Sequence, residues 1–171
     1  MESNEKDEEY LRNVQRHIAY AAVAPTTLRS MFDRAHVRKE ICETLSVIDV
    51  KRAFSAGLLV WLNEETEKLE QANGYWGPSR KALNLFLRDM ANNYQMRRAF
   101  GLGRLDEDLE IPLDGKVMKY LRKARPGELP KAATVKWLTP EKHEQYQRVA
   151  SEVARERGVS RAELDFYIWS H

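Results

Sequence analysis

Apolar residues return at helical spacing along most of the chain: Phe54, Leu58 and Trp61; Leu83, Phe86, Leu87 and Met90; Val117, Tyr120, Leu121 and Ala124; Tyr146, Val149, Ala150 and Val153. No stretch alternates with a period of two. The pattern predicts helices near Glu9–Val23, Thr26–Phe32, Val37–Leu45, Asp49–Asn73, Ser79–Phe100, Asp114–Lys123 and Thr139–Arg157, with a last one at Ser160–Trp169. The fold class expected is all-α. Several boundaries carry their own chemistry. Thr139 before Pro140 is a hydroxyl cap ahead of a proline-tolerant position, Ser160-Arg161-Ala162-Glu163 is a capping box, and Gly158 ends the helix before it. Between Ala124 and Leu138, Pro126, Gly127 and Pro130 mark a loop.

Composition sharpens this picture. A chain of 171 residues, 43% apolar and 32% charged, fits one globular unit. Met1 to Glu9 sets five acids against Lys6, so residues 1–9 read as a loose acidic tail, not a signal peptide, and residues 10–171 as a single helical domain. Without the tail the net charge rises from +2 to +6. That value suits a polyanionic partner and suits an ordinary solvated surface equally. The lone Cys42 excludes an internal disulfide, and the longest apolar run, Ala56 to Leu62, is too short to cross a bilayer. A reducing, cytoplasmic setting and a monomer are expected. His17, His36, His143 and His171 are dispersed without ligand spacing, so no metal or cofactor is assigned.

Two stretches carry candidate chemistry. Asn73-Gly74-Tyr75-Trp76-Gly77-Pro78-Ser79-Arg80-Lys81-Ala82-Leu83-Asn84 is a glycine-bearing turn between helices, with cations in the first turn of the second. Such a turn can seat a phosphate on unpaired backbone N–H groups, or simply connect two helices. In Glu110-Ile111-Pro112-Leu113-Asp114-Gly115-Lys116-Val117, Pro112 holds Ile111 extended and Asp114 falls where a helix begins, the position of an ordinary cap.

Together the two stretches resemble the HhH-GPD superfamily of DNA glycosylases, in which a hairpin of the type G-V-G-R-K-T-A-N precedes a V-D-T-H-V element. The matching residues here are Gly77 to Asn84 and Leu113 to Val117. Ser79 stands for the second hairpin glycine, Gly115-Lys116 for the Thr-His, and 33 positions separate Lys81 from Asp114. The archaeal 8-oxoguanine glycosylase branch is similar in this long spacing and in a final-helix Asp-x-x-x-Trp, here Asp165 and Trp169.

The resemblance implies a helix-hairpin-helix glycosylase-like domain, with the hairpin near residues 60–92 and duplex DNA as partner. It implies that Lys81 is the nucleophile at the deoxyribose C1′ and that Asp114 stabilises the charge developing on the sugar. Asp165 and Trp169 would read and stack a flipped base, unless Trp169 docks into the core, with Trp76 beside them at the base; Tyr75 and Trp76 could equally pack on the hairpin or wedge at the DNA surface. Gly74, Gly77, Ser79 and Arg80 would meet the DNA backbone, and Lys116, Lys119, Arg122 and Lys123 would extend a basic wall toward Arg125 and Lys131. The base stays open, with an oxidised purine such as 8-oxoguanine the first to consider. Two other readings stand beside this one: a phage-type enzyme modifying thymine derivatives on the same fold, and a non-catalytic DNA-binding helical module.

Overall fold

The computed structural model describes residues 2–24, 28, 35–130 and 134–170, and among them there are helices and no strands. The expected all-α class is therefore observed. Nine α-helices are labelled here in chain order: α1 Glu2–Val23, α2 Ala35–Val47, α3 Arg52–Ala56, α4 Leu58–Asn73, α5 Trp76–Asn92, α6 Tyr94–Phe100, α7 Gly115–Ala124, α8 Pro140–Arg157 and α9 Arg161–Ser170. Short 3-10 turns cover Leu102–Leu105 and Val135–Trp137. Among the described residues, no helix is long and apolar enough to cross a membrane.

Three helices depart from expectation for identifiable reasons. α1 already covers the acidic opening, and within it Glu8 lies 3.5 Å from Arg12 one turn on. The long helix expected over Asp49–Asn73 is broken at Gly57, whose φ of 86° no helical residue adopts. The one expected over Ser79–Phe100 starts earlier, with Pro78 tolerated in its first turn, and divides at Asn93. There the Asn93 side chain accepts from the N–H groups of Gln95 and Met96, both at 3.1 Å, and starts a new helix. The helix expected over Thr26–Phe32 lies, apart from Leu28, outside the described residues.

Two apolar clusters form the core. One gathers α1 to α6 around Leu45, Trp61, Leu62, Leu83, Phe86 and Met90. The other joins α7, α8 and α9 to the chain on either side of α7, through Ile111, Leu113, Val117, Tyr146, Val149 and Leu164. α5 packs against α1, α4, α6, α8 and the 135–137 turn. Every residue from Gly77 to Leu87 is buried, so α5 is a central helix with no solvent face along that span.

Candidate functional site

Arg80, Lys81 and Asn84 lie in that enclosed span of α5, where polar groups must find partners inside the protein. Lys81 finds Asp114. The carboxylate caps α7, its Oδ1 accepting from the Val117 N–H at 2.8 Å, while Oδ2 lies 3.8 Å from Lys81 Nζ. Both residues are buried, at 4% and 6% exposure. Burial destabilises the ammonium and lowers the Lys81 pKa; Asp114 and Asp165 oppose that shift and Arg88 adds to it. The pair brought together from two distant motifs thus shares one enclosed site.

Asp165 of α9 belongs to the same cluster. Burial raises its carboxyl pKa, Arg88 pulls it back through an ion pair, and Asp114 pushes it further up. Trp169, one turn on, does not follow it inside. Its indole is 56% exposed, with the Lys116 amine 4.9 Å from the ring centroid. The face expected to present a carboxylate and an indole together therefore divides into a buried acid and an exposed ring.

A second polar set occupies the other side of α5. Arg80, expected at the DNA backbone, is 2% exposed and makes a two-pronged ion pair with Glu110, both bonds 2.8 Å, and reaches Asn63 and Thr66 at 3.0 and 3.2 Å. Trp76 accompanies Arg80, one turn on, rather than Lys81. Its ring lies edge-on to His143, 5.1 Å between centroids, and it lines a cleft of about 540 Å3 with Leu59, Asn63, Pro140 and Glu144. Ser79 is fully buried and bonds to the Tyr75 carbonyl at 2.8 Å and the Asn73 amide at 2.6 Å. Gly77 packs against protein, since a Cβ there would stand 2.0 Å from the Val135 carbonyl oxygen. The hairpin also spends donors internally: the Gly74 N–H bonds to Glu70 O at 2.6 Å and the Tyr75 N–H to Asn73 Oδ1 at 2.9 Å.

Around Glu110 the bonding is dense. Asn84 donates at 2.8 Å, His143 Nε2 lies 3.3 Å away, and Gln147 contacts that same ring nitrogen at 3.2 Å. Burial disfavours the Glu110 carboxylate, but His143 and Arg80 outweigh burial and hold its pKa well below the ordinary value. Burial lowers His143 to about 4 against the opposing pull of Glu110, so its ring is neutral near pH 7.

No family model, no curated protein and no solved structure matches the chain. The site is accordingly read from its own geometry. On α7, Lys116, Lys119 and Lys123 are exposed and share a face. Arg122 turns inward to the Tyr146 hydroxyl at 3.0 Å, and Arg125 pairs with Glu156. Lys131 lies outside the described residues.

Several residues that matter here carried little signal in the sequence. Arg88 lies seven positions after Lys81, on the same helical face, and that spacing was its only mark. Glu110 and His143 stand too far apart in sequence to announce their contact. Trp137 is 61% exposed, 5.7 Å from Tyr75 between ring centroids, and the Lys136 amine lies 4.5 Å from the Tyr75 ring. A tryptophan beside a lysine in a proline-bearing loop was the available clue.

Proposed function

We propose that the chain is a DNA base-excising enzyme of the helix-hairpin-helix glycosylase type, with Lys81 as nucleophile and Asp114 as its electrostatic partner. One observation carries the reading: a buried lysine with a lowered pKa lies 3.8 Å from a carboxylate that caps a helix. Lowering the pKa increases the fraction of neutral amine, the form that can attack. In the proposed reaction the Lys81 nitrogen bonds to C1′ as the glycosidic bond breaks, and the base departs with that bond's electron pair and takes up a proton. Opening of the sugar ring then gives an imine, from which elimination can cut the strand. A negative Asp114 beside the sugar favours the positive charge that develops there. Lys116, Lys119 and Lys123, with Lys136 beside the rings of Tyr75 and Trp137, supply cationic and aromatic groups suited to a nucleic acid. Because Lys81 is only 4% exposed, side chains above it must part when DNA binds.

The experiment is borohydride trapping on duplexes carrying a panel of damaged and modified bases, 8-oxoguanine among them. Wild type is expected to form a covalent adduct and Lys81→Gln to lose it while still binding DNA. No adduct across the panel, or an undiminished one with Lys81→Gln, would refute the lysine chemistry. The burial of Lys81 favours a second reading, a non-catalytic DNA-binding module in which Lys81 and Asp114 only tie α5 to α7. DNA binding without excision or trapping would select it.

A further inference from the structure

The Lys81–Asp114 pair runs alongside a second, tighter pair joining the same two pieces of chain. Arg80 precedes Lys81 on α5, and Glu110 lies four residues before Asp114 on the segment leading into α7. Up to Asp114, whose carbonyl accepts the first bond of α7 from the Met118 N–H at 2.9 Å, residues 111–113 lie outside any helix, so their position depends on what grips them. The grip is at the segment's beginning and its end. Glu110 is held by Arg80 and Asn84 from α5 and by His143 from α8. Both backbone groups of Ile111 are taken by Gln147, the N–H donating to Oε1 at 3.1 Å and the carbonyl accepting from Nε2 at 2.8 Å. Pro112 stiffens the next step, and Asp114 ends the segment as the cap of α7.

We propose that the Arg80–Glu110 ion pair, with Gln147 on Ile111, is the positioning device of this site: it fixes the segment carrying Asp114 against α5 and so sets the distance between the Lys81 amine and the Asp114 carboxylate. The physical reasoning is one of stiffness. A lysine–carboxylate contact at 3.8 Å sets the distance to Asp114 only loosely, whereas two parallel guanidinium bonds of 2.8 Å define both distance and direction. Every polar neighbour of Glu110 named above is itself buried, and Glu110 with Arg80, His143 and Gln147 forms the floor of the cleft beside Trp76, so the bonds of the clamp lie largely out of water, where they are strong. Glu110 and Arg80 touch no reacting atom in this arrangement and act through Asp114. The catalytic consequence rests on the reading of Lys81 as nucleophile; the positional claim does not.

The test follows the Lys81 amine directly, by NMR titration of the full chain carrying isotope-labelled lysine, the signal being assigned by its loss in Lys81→Arg. Three variants are compared with wild type. Glu110→Gln removes the charge of the clamp, Gln147→Met releases Ile111 alone, and Val153→Ala loosens the same apolar cluster without touching the clamp. Burial is the largest cause acting on the Lys81 pKa and outweighs the opposing pull of Asp114, so freeing the segment and admitting water should raise the titration midpoint in Glu110→Gln and Gln147→Met. Val153→Ala should melt earlier yet leave the midpoint in place. An unchanged midpoint in the folded clamp variants, or an equal shift in Val153→Ala, would overturn the proposal. Should Glu110→Gln not fold, Gln147→Met carries the test alone. A wild type that traps no DNA while its midpoint responds as described would keep the positioning role and remove the nucleophile reading.

Discussion

Arg88 of α5 closes an ion pair on Asp165 of α9, and the same guanidinium reaches Asp89 at 2.8 Å and lies 5.2 Å from the Phe166 ring centroid. The acid expected to read a base is therefore already committed to a cation, and α9 is docked on α5 by charge as well as by apolar contact. Arg88→Met should leave a nearly buried carboxylate without its partner. Removing one member of a fully buried pair costs about 3–5 kcal/mol; with Arg88 side chain 17% exposed, a loss of about 2 kcal/mol is expected at neutral pH. The loss should shrink in acid as Asp165 takes up a proton, at a pH above the ordinary aspartate range once Arg88 no longer holds it down. Urea unfolding of both proteins across pH checks this, and a pH-independent difference would contradict it.

Acid should weaken the protein earlier than its carboxylates alone would. In the folded chain His143 resists protonation down to about 4, whereas an unfolded histidine takes a proton near 6.5. Below that unfolded value the unfolded state binds more protons, so the stability is present in full above about pH 6.5 and is lost as pH falls toward 4. The whole effect is on the order of 3 kcal/mol at most. Glu110, also depressed, extends the loss below its ordinary value of 4.5. His143→Gln keeps a polar side chain that does not titrate, and its melting temperature should change less between pH 6.5 and 5 than that of wild type. Parallel curves for the two proteins would exclude His143 as the source.

The all-α class was legible in the sequence because it rests on local signals, whereas the meeting of Lys81 with Asp114, 33 positions apart, was suggested only by the resemblance of their two stretches to a glycosylase pair. Helical periodicity reports which face is buried, and an aspartate after Ile-Pro-Leu marks a helix start. What stayed hidden was pairing across distance. The Arg80–Glu110 bond spans 30 positions and Arg88–Asp165 spans 77, and nothing in a linear pattern distinguishes an arginine that will be enclosed from one that will face a phosphate. The enclosure of Arg80 was hidden for that reason: a cation in the first turn of a helix suggests solvent unless the helix proves to be central. The breaks at Gly57 and Asn93 were missed because apolar spacing continues across them, although each break carries a residue that ends or starts helices.

Gly77 offers a test of how the 135–138 turn is held. A methyl group placed there would stand 2.0 Å from the Val135 carbonyl oxygen and 3.0 Å from Leu138 Cβ, closer than packed atoms approach. The backbone carbonyl cannot rotate away as a side chain could, so the turn must shift as a whole. Gly77→Ala is expected to cost about 2 kcal/mol, within the range for overpacking, despite the higher helix propensity of alanine. Trp137 reports locally, because the turn carries it beside Tyr75 at 5.7 Å. A displaced turn should change its fluorescence and its quenching by iodide. Unchanged stability and unchanged emission would show that the turn adapts without cost.

Lys116, Lys119 and Lys123 form the cationic face that the proposed DNA contact depends on, and their contribution can be counted. All three are exposed on α7, whereas Arg122 and Arg125 on the same stretch are engaged by Tyr146 and Glu156. Each phosphate neutralised on a duplex releases bound counterions and contributes about 0.9 to the slope of log affinity against log salt. Changing all three lysines to glutamine should therefore reduce that slope by up to about 3, whereas Arg125→Gln, which breaks an internal ion pair, should barely alter it. The weakening should be similar for duplexes of unrelated sequence, because phosphate contacts carry no base information. Titrations by fluorescence anisotropy at four or five salt concentrations give both slopes. If the triple variant keeps the wild-type slope, the DNA contact lies on another face; if wild type does not bind at the lowest salt, the chain is not a DNA-binding protein of this kind.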